Sequence, residues 1–267
     1  MTQPIKLISP AHGAIYAERM PLSQTEAAAA VARARKAQKA WAARPLAERI
    51  ALVKAGVDQL LTRKDALVEE LAHQMGRPTR YGGEFGGVVD RTNYMADIAA
   101  EELAPKMVED SDTFRRYLAR EPVGVVFIVA PWNYPYLTTI NTLAPALIAG
   151  NSVMLKHASQ TLLVGERLAE AFHEAGIPEE VFQNVVLDHA TTEHLIVNFT
   201  GSVAGGIAME KAAAGTFTGL GLELGGKDPG YVRADADLDA AVDGLMDGAM
   251  FNAGQCCCGI ERIYVHE

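Results

Sequence analysis

The amino-acid sequence predicts an α/β protein whose parallel β-sheet is covered by helices on both faces. From position 124 onward, short apolar segments alternate with helical patterns, as in parallel sheets. Before position 109 the patterns are almost entirely helical. The chain has 267 residues, of which 49% are hydrophobic, and can therefore bury a sizeable core.

Composition and charge narrow the classes of partner. The net charge of -9 is spread without a block of like charges, which argues against nucleic acid or anionic lipid as partners. The start, MTQPIKLISP, lacks a basic segment followed by an apolar run, and GVVFIVA at 124–130 is too short to cross a bilayer. We therefore expect no membrane partner and a cytoplasmic location.

The first third of the chain predicts helices that serve as packing surface. Ser23 and Glu26 have the spacing of a capping box, and an Ala-rich helix follows as far as Ala43. Apolar residues then recur three and four positions apart in a second helix, and a third ends at Gly76. A weaker helix is predicted from Val88 to Leu103. The apolar positions of the second helix are Ile50, Val53, Val57 and Leu60.

The pattern changes after position 109. DTFRRYLAREPVGVV alternates polar and apolar side chains, which predicts an edge strand or hairpin whose pairing Pro122 limits. A regular alternation follows, and ligands bind such sheets at the carboxyl ends of the strands. The predicted strands are 124–130, 152–156, 181–187 and 197–200, and the helices are 136–149, 160–175, 190–196 and 203–214.

Two strand-to-helix turns carry polar side chains suited to binding. Prolines flank Trp132-Asn133-Tyr134, and the Asn133 amide can donate a hydrogen bond into a cleft or, alternatively, only stabilise its own turn. Lys156 ends the next strand, where it can reach a nucleotide's hydroxyls or phosphate, although such a lysine is often simply solvated.

Two later segments complete the set of candidates. Gly201 and Ser202 begin a helix, where backbone N–H groups can hold a pyrophosphate, although this short turn is weak evidence alone. Glu223 lies in an apolar sequence context, so burial is expected to raise its pKa toward the range of a general base. An ordinary ion pair for Glu223 is the alternative.

All three cysteines stand together in FNAGQCCCGIER, at 251–262. They cannot form an intrachain disulfide framework, and free thiols fit a reducing compartment. Adjacent cysteines are not expected to surround one zinc ion tetrahedrally, so we predict no metal site. Cys256 and Cys258 are interpreted as small core residues, and Cys257 as a nucleophile if a neighbouring group activates it.

Together these motifs resemble those of the NAD(P)-dependent aldehyde dehydrogenase superfamily, over essentially the whole chain. PWN, LKHAS, FTGS, ELGGK and GQCC occur in the family's order, and Glu223 and Cys257 have its separation of 34 residues. The resemblance implies that Cys257 attacks an aldehyde to form a thiohemiacetal, that Asn133 stabilises the oxyanion, and that a thioester follows. It implies that Glu223 activates the hydrolytic water.

The resemblance also implies a bound NAD or NADP. Lys156 corresponds to the residue that holds the adenosine ribose, Gly201 and Ser202 to the pyrophosphate contact, and Trp132 to the wall of the cofactor cleft. Ser159 replaces the Glu with which many NAD-using relatives repel a 2′-phosphate, so we predict that NADP is accepted.

The sequence indicates the substrate less directly than the cofactor. The resemblance places Tyr134, Thr138 and Asn141 in the aldehyde tunnel, and the polarity of the last two favours a semialdehyde. The KHAS stretch is similar to bacterial succinate-semialdehyde dehydrogenases. Coenzyme A-acylating relatives are disfavoured, because they generally lack a Glu at position 223.

Domain boundaries follow from the same resemblance. A Rossmann-like cofactor domain is predicted at 1–108 and 123–226, a hairpin for homo-oligomerisation at 109–122, and an incomplete second α/β domain at 227–267. The segment DHATTEHLIV is shorter than the family usually has. The strand IERIYVHE is expected to start a sheet that the sequence does not complete, with an exposed edge that invites association. The alternative is a catalytically silent nucleotide-binding or interaction module.

Overall fold

The computed structural model describes residues 3–82, 84–193, 195 and 198–267. It confirms the predicted α/β class and the helical first third. The capping box is present: the Ser23 hydroxyl accepts from the Glu26 N–H, and the Glu26 carboxylate accepts from the Ser23 N–H. The helices are α1 (Gln24–Ala42), α2 (Leu46–Leu61), α3 (Lys64–Met75) and α4 (Phe85–Glu102).

The central sheet is parallel and has five strands in the order β7-β6-β5-β8-β9. The chain runs outward from β5 through β6 to β7, and then continues on the other side through β8 to β9. The order therefore reverses between β5 and β8, the place where such sheets bind ligands. The strands are β5 (Val125–Val129), β6 (Ser152–Lys156), β7 (Phe182–Asn184), β8 (Asn198–Thr200) and β9 (Gly221–Glu223).

The crossover helices agree with the predicted order of elements. Strand β7 is shorter than the predicted 181–187, and β9 was not predicted. In the predicted helix 190–196 and strand 197–200, positions 194, 196 and 197 lie outside the described residues. The helices are α5 (Pro135–Ile148), α6 (Leu162–Glu174), α7 (His189–Thr192) and α8 (Val203–Ala213).

The core lies on both faces of β5. Val126 and Ile128 pack into a large cluster with α2, α4, α5 and α6. Phe127 and Val129 face the opposite way and pack against the small side chains of α1. Burial on both faces explains why β5 reads as a continuous apolar run rather than an alternating one.

Two antiparallel hairpins lie outside the central sheet. One, formed by β1 (Ile5–Ile8) and β2 (Ile15–Arg19), was not predicted; its Leu7 packs against the start of α6. The other consists of β3 (Lys106–Asp110) and β4 (Arg115–Leu118), so the strands of the predicted hairpin begin and end earlier than 109–122. The register of β3 and β4 pairs Met107 with Tyr117.

The last part of the chain forms a small unit of its own. Strand β10 (Asp228–Val232), helix α9 (Leu238–Met250) and β11 (Ile260–Val265) follow one another, and β10 and β11 pair in parallel. Strand β11, which falls in the predicted strand IERIYVHE, therefore pairs with β10, and the two form a sheet of two strands. Because α9 carries the chain back along β10, the strand meets a segment that precedes it by only about thirty residues.

The proposed domain boundaries remain predictions. Among the described residues, no helix is both long enough and apolar enough to cross a membrane.

Candidate active site

The predicted site residues gather around the carboxyl ends of β5, β6, β8 and β9. Asn133 follows β5, Lys156 ends β6, Gly201 follows β8, and Glu223 ends β9. Neighbouring parallel strands end at the same edge of a sheet, so four motifs far apart in sequence meet along one border. The cysteine segment approaches this border from the β10–β11 unit.

The Asn133 turn is bonded directly to the cysteine segment. The Asn133 side-chain Nδ2 donates to the Gln255 carbonyl at 3.1 Å. Asn252 Nδ2 donates to the same carbonyl at 3.2 Å and to the Asn133 carbonyl at 3.1 Å. The predicted oxyanion donor, Asn133, thus contacts a residue that precedes Cys257 by two positions.

Arg77, which the sequence did not indicate as a site residue, contacts both Asn133 and Asn252. It is 5% exposed, donates from Nε to Asn252 Oδ1 at 2.8 Å, and donates a further hydrogen bond to the Asn133 carbonyl. Its charge is balanced by an ion pair with the buried Glu84, whose other oxygen accepts from the Leu137 N–H at 2.8 Å. The ion pair therefore supports both the Asn133 turn and the start of α5.

The backbone before the thiols is held in an unusual conformation. Asn252 and Ala253 have φ values of 51° and 58°, in the left-handed region that side chains disfavour. Such residues persist where surrounding contacts over-determine them. The bonds of Asn252 to Arg77, Asn133 and Gln255 are contacts of this kind, and they fix the direction in which the cysteine segment leaves α9.

The ELGGK segment is bonded to the other side of the thiols. The Gly226 N–H donates to the Cys257 carbonyl at 2.9 Å, and the Asp228 N–H donates to the Gly259 carbonyl at 3.2 Å. A Cβ atom at Gly226 would lie 3.1 Å from the Cys257 oxygen, so this approach is tight. Glu223 thus precedes by three positions the residue, Gly226, whose N–H is hydrogen-bonded to Cys257.

The expected burial of Glu223 is not observed. Its side chain is exposed at the end of β9, and its carbonyl accepts from the Gly201 N–H at 2.9 Å. The apolar residues beside Glu223 therefore do not enclose its carboxylate.

The three thiols differ from one another in their surroundings. Cys256 is half-buried, whereas Cys257 and Cys258 are exposed, so the interpretation of Cys256 and Cys258 as core residues was wrong. Burial alone would raise the pKa of Cys256, but hydrogen bonds from Cys258, Tyr134 and Cys257 outweigh it and lower that pKa. The hydrogen bond to Cys256, together with desolvation, raises the pKa of Cys258 to about 11.

The candidate cofactor residues lie on either side of the reversal point. Ser202 is the N-cap of α8, its hydroxyl accepting from the Gly205 N–H at 3.1 Å, and the exposed start of this helix offers backbone donors to an anion. Lys156 is half-buried, and desolvation lowers its pKa. Ser159 is exposed three residues beyond it, and Trp132 packs on the large core cluster. This donor set fits a dinucleotide.

The first of the residues expected in an aldehyde tunnel, Tyr134, lies next to Asn133 and the cysteine segment. Tyr134 stacks on Phe251 with ring centroids 6.4 Å apart, and the Arg77 guanidinium lies 5.2 Å from its ring centroid. The Thr138 hydroxyl donates to the Tyr134 carbonyl at 2.7 Å. Asn141 is exposed one turn further along α5.

A groove elsewhere on the molecule contains none of the predicted site residues. It has a volume of about 340 Å³ and lies between α1 and the end of α8, against Phe127 and Met154. Because the chemistry-bearing side chains lie at the carboxyl ends of the strands, we assign the candidate site to that border and not to the groove.

Comparisons with known proteins identify relatives of this chain. The family described as "Aldehyde dehydrogenase family" matches residues 1–267. A 2-hydroxymuconic semialdehyde dehydrogenase of Pseudomonas sp. strain CF600 is 34% identical, covering 97% of this chain and 56% of its own length. A succinate-semialdehyde dehydrogenase [NADP(+)] of Deinococcus radiodurans is 31% identical, covering 98% and 57%. The chain thus spans little more than half the length of these curated relatives.

A solved structure is similar over nearly the whole chain. It is that of an NADP-dependent glyceraldehyde-3-phosphate dehydrogenase from Bacillus halodurans complexed with NADP. The two are 33% identical with a TM-score of 0.90, and the match covers 99% of this chain and 58% of the other.

Proposed function

The chain belongs to the aldehyde dehydrogenase family, and we propose that it carries the nucleophile and the cofactor-binding part of an NAD(P)-dependent enzyme that oxidises an aldehyde to a carboxylic acid. The observation that supports this most is the pair of hydrogen-bonded contacts around the cysteine segment. Asn133 bonds it from one side and Gly226 of the ELGGK segment from the other.

In the proposed reaction the Cys257 thiolate adds to the aldehyde carbon, and the carbonyl oxygen becomes an oxyanion. The Asn133 amide has two N–H donors. One is engaged with Gln255, so the second can stabilise the oxyanion together with the Cys257 N–H. When bound, the nicotinamide cofactor supplies the two-electron oxidant that converts the thiohemiacetal into a thioester.

Hydrolysis then regenerates the thiol. Glu223 accepts a proton from a water molecule that attacks the thioester carbon, and the sulfur of Cys257 leaves as the acid forms. The exposed position of Glu223 gives it access to water. In this scheme Arg77, Glu84 and Asn252 position the reacting groups without touching them.

We further propose that the cofactor is NADP or NAD, bound between α8 and the end of β6. Ser202 and the first turn of α8 would hold the pyrophosphate, Lys156 the adenosine ribose, and Trp132 the wall of the cleft. The small, exposed Ser159 leaves room for a 2′-phosphate. The substrate is a semialdehyde in this proposal, in keeping with the names of both curated relatives and with the polar Thr138 and Asn141.

A homo-oligomeric assembly and a cytoplasmic location complete the proposal. The β3–β4 hairpin exposes apolar side chains on an uncovered two-stranded sheet, which a second copy of the chain could cover. Three free thiols fit a reducing compartment.

The test is NADPH and NADH production by this chain with succinate semialdehyde and neutral aldehydes, beside Cys257→Ala. We expect turnover by the natural sequence and none by the variant, which retains cofactor binding measured by tryptophan fluorescence. Turnover that survives in Cys257→Ala would refute the assigned nucleophile. Cofactor binding without turnover in the natural sequence would show a silent binding module instead.

A further inference from the structure

The sulfur atoms of the three adjacent cysteines lie close together in one turn. A turn closes over Cys256, where the Gly259 N–H donates to the Cys256 carbonyl at 3.3 Å. All three Sγ atoms lie within 4.8 Å of one another, and those of Cys256 and Cys258 are 3.3 Å apart. The turn thus brings three sulfurs close enough to share one ion, although three sulfurs alone do not complete the tetrahedral zinc site that the sequence argued against.

We propose that Cys256, Cys257 and Cys258 form a binding site for a single soft, thiophilic cation of the Cu(I) class. A metal–sulfur bond of about 2.3 Å lets two sulfurs of one ion lie up to about 4.6 Å apart. The Cys256 and Cys258 sulfurs are 3.3 Å apart, and all three sulfur pairs lie within 4.8 Å, close to that span. Small rotations of the cysteine side chains are therefore enough to bring the three sulfurs onto one ion.

The number of ligands selects the kind of ion. Thiolates favour Cu(I) and zinc among common metals, but structural zinc takes four ligands. Within the described part of the chain, the cluster of potential ligands consists of these three cysteines. Three sulfurs without a carboxylate or imidazole suit a soft monovalent ion better than zinc.

The turn is also held and accessible. Backbone bonds from Gly226 and Asp228 fix the Cys257 and Gly259 carbonyls, so part of the ordering needed for binding is already present. Cys257 and Cys258 are exposed, which opens the site to an ion from solvent.

Occupancy of this site goes beyond the proposed function and opposes it. A cation bound to the Cys257 sulfur withdraws the electron pair that would attack an aldehyde. Soft metal ions would therefore inhibit the proposed reaction by occupying the Cys257 sulfur. The two neighbouring thiols would raise the affinity for the ion above that of a single cysteine.

The experiment is an anaerobic titration of the full chain with Cu(I) in competition with a chromophoric Cu(I) chelator. We expect a single ion per chain and thiols that resist a thiol reagent until a stronger chelator removes the metal. Cys256→Ser, Cys257→Ser and Cys258→Ser should each weaken binding by roughly a hundredfold, since loss of even an outer-shell partner costs about ten- to a hundredfold. His12→Ala, which removes an exposed imidazole, should bind as tightly as the natural sequence.

Three outcomes would overturn the proposal. One is binding that all three serine variants retain while their far-ultraviolet circular dichroism is native. Another is a stronger affinity for Zn²⁺ than for Cu(I), and the third is permanent loss of two thiols, which would indicate oxidation of Cys256 and Cys258. Because binding and thiol counts are measured without an aldehyde, failure of the proposed enzymatic function leaves this test intact.

Discussion

A single side chain, Ser159, carries the proposed choice between the two nicotinamide cofactors. It is exposed at the carboxyl end of β6, three residues beyond the half-buried Lys156. A carboxylate at this position would face a 2′-phosphate of like charge but not a 2′-hydroxyl. Cofactor preference should therefore respond to the charge at this position more than to its size.

We predict that Ser159→Glu weakens NADP binding by about tenfold or more and leaves NAD binding nearly unchanged, a difference of about 1.4 kcal/mol. Fluorescence titration with each cofactor measures both affinities. Gln160→Glu adds the same charge one residue further along the exposed turn and should leave the NADP affinity close to that of the natural sequence. Equal losses in the two variants would show a general charge effect and contradict the role of Ser159.

For individual residues, the sequence indicated the side chains that stand in recognisable motifs but not the side chains that position them. Asn133, Lys156, Ser202 and Cys257 stand in turns whose residue types indicate chemistry, and the structure brings them to one border. Arg77 looks like an ordinary helix-flanking arginine, because Asn133 and Asn252, the two partners that connect it to the site, are 56 and 175 residues away. Long-range hydrogen bonds of this kind leave no local pattern.

Among the secondary-structure elements, β6 and α5 are joined by one buried histidine. His157 follows β6, and its Nδ1 accepts from the Ala158 N–H at 3.1 Å, while Nε2 lies 3.2 Å from the Pro135 carbonyl at the start of α5. A proton on Nδ1 would face the Ala158 donor. Burial, chiefly, lowers the pKa of His157 to about 3.

The depressed pKa of His157 predicts a loss of stability in mild acid. Below the unfolded pKa of about 6.5 the unfolded chain binds a proton that the folded chain refuses, so stability falls as the pH falls toward 3. The expected slope is about 1.4 kcal/mol per pH unit, or about 2 kcal/mol between pH 6.5 and pH 5. Urea unfolding at a series of pH values measures it.

His157→Gln is expected to flatten this part of the pH profile, whatever its effect on stability at neutral pH. His189→Gln is the matched control, because His189 is exposed at the start of α7. The control should keep the slope of the natural sequence. An unchanged slope in His157→Gln would show that other groups cause the acid sensitivity.

The sequence predicted elements well where a regular pattern was long or fully buried. Strand β6 has the predicted bounds, and α1 begins at the predicted capping box. It did not predict β1, β2, β9, β10 or α9, whereas β11 falls in the predicted strand IERIYVHE. Strands of three or four residues contain too few positions to establish an alternation, and α9 has no buried residue among its apolar positions.

On the scale of the whole molecule, the β3–β4 hairpin presents apolar side chains to solvent. Val108, Tyr117 and Leu118 are 62%, 56% and 63% exposed, and the hairpin pairs with none of the other described strands. A two-stranded sheet of this size is marginally stable alone in water. An apolar surface on such a sheet therefore favours a partner, and another copy of the chain would bury the same surface twice.

We predict that the chain associates at micromolar concentration and that the double variant Val108→Asp/Leu118→Asp is monomeric, because association would bury two carboxylates in an apolar contact. Sedimentation velocity over a range of concentrations measures the assembly. Leu238→Asp, at an exposed leucine of α9 outside the hairpin, makes the same kind of change and should remain associated. A monomeric Leu238→Asp beside an associated hairpin variant would place the contact on α9 instead, and a natural sequence that stays monomeric at every concentration would refute the proposed assembly.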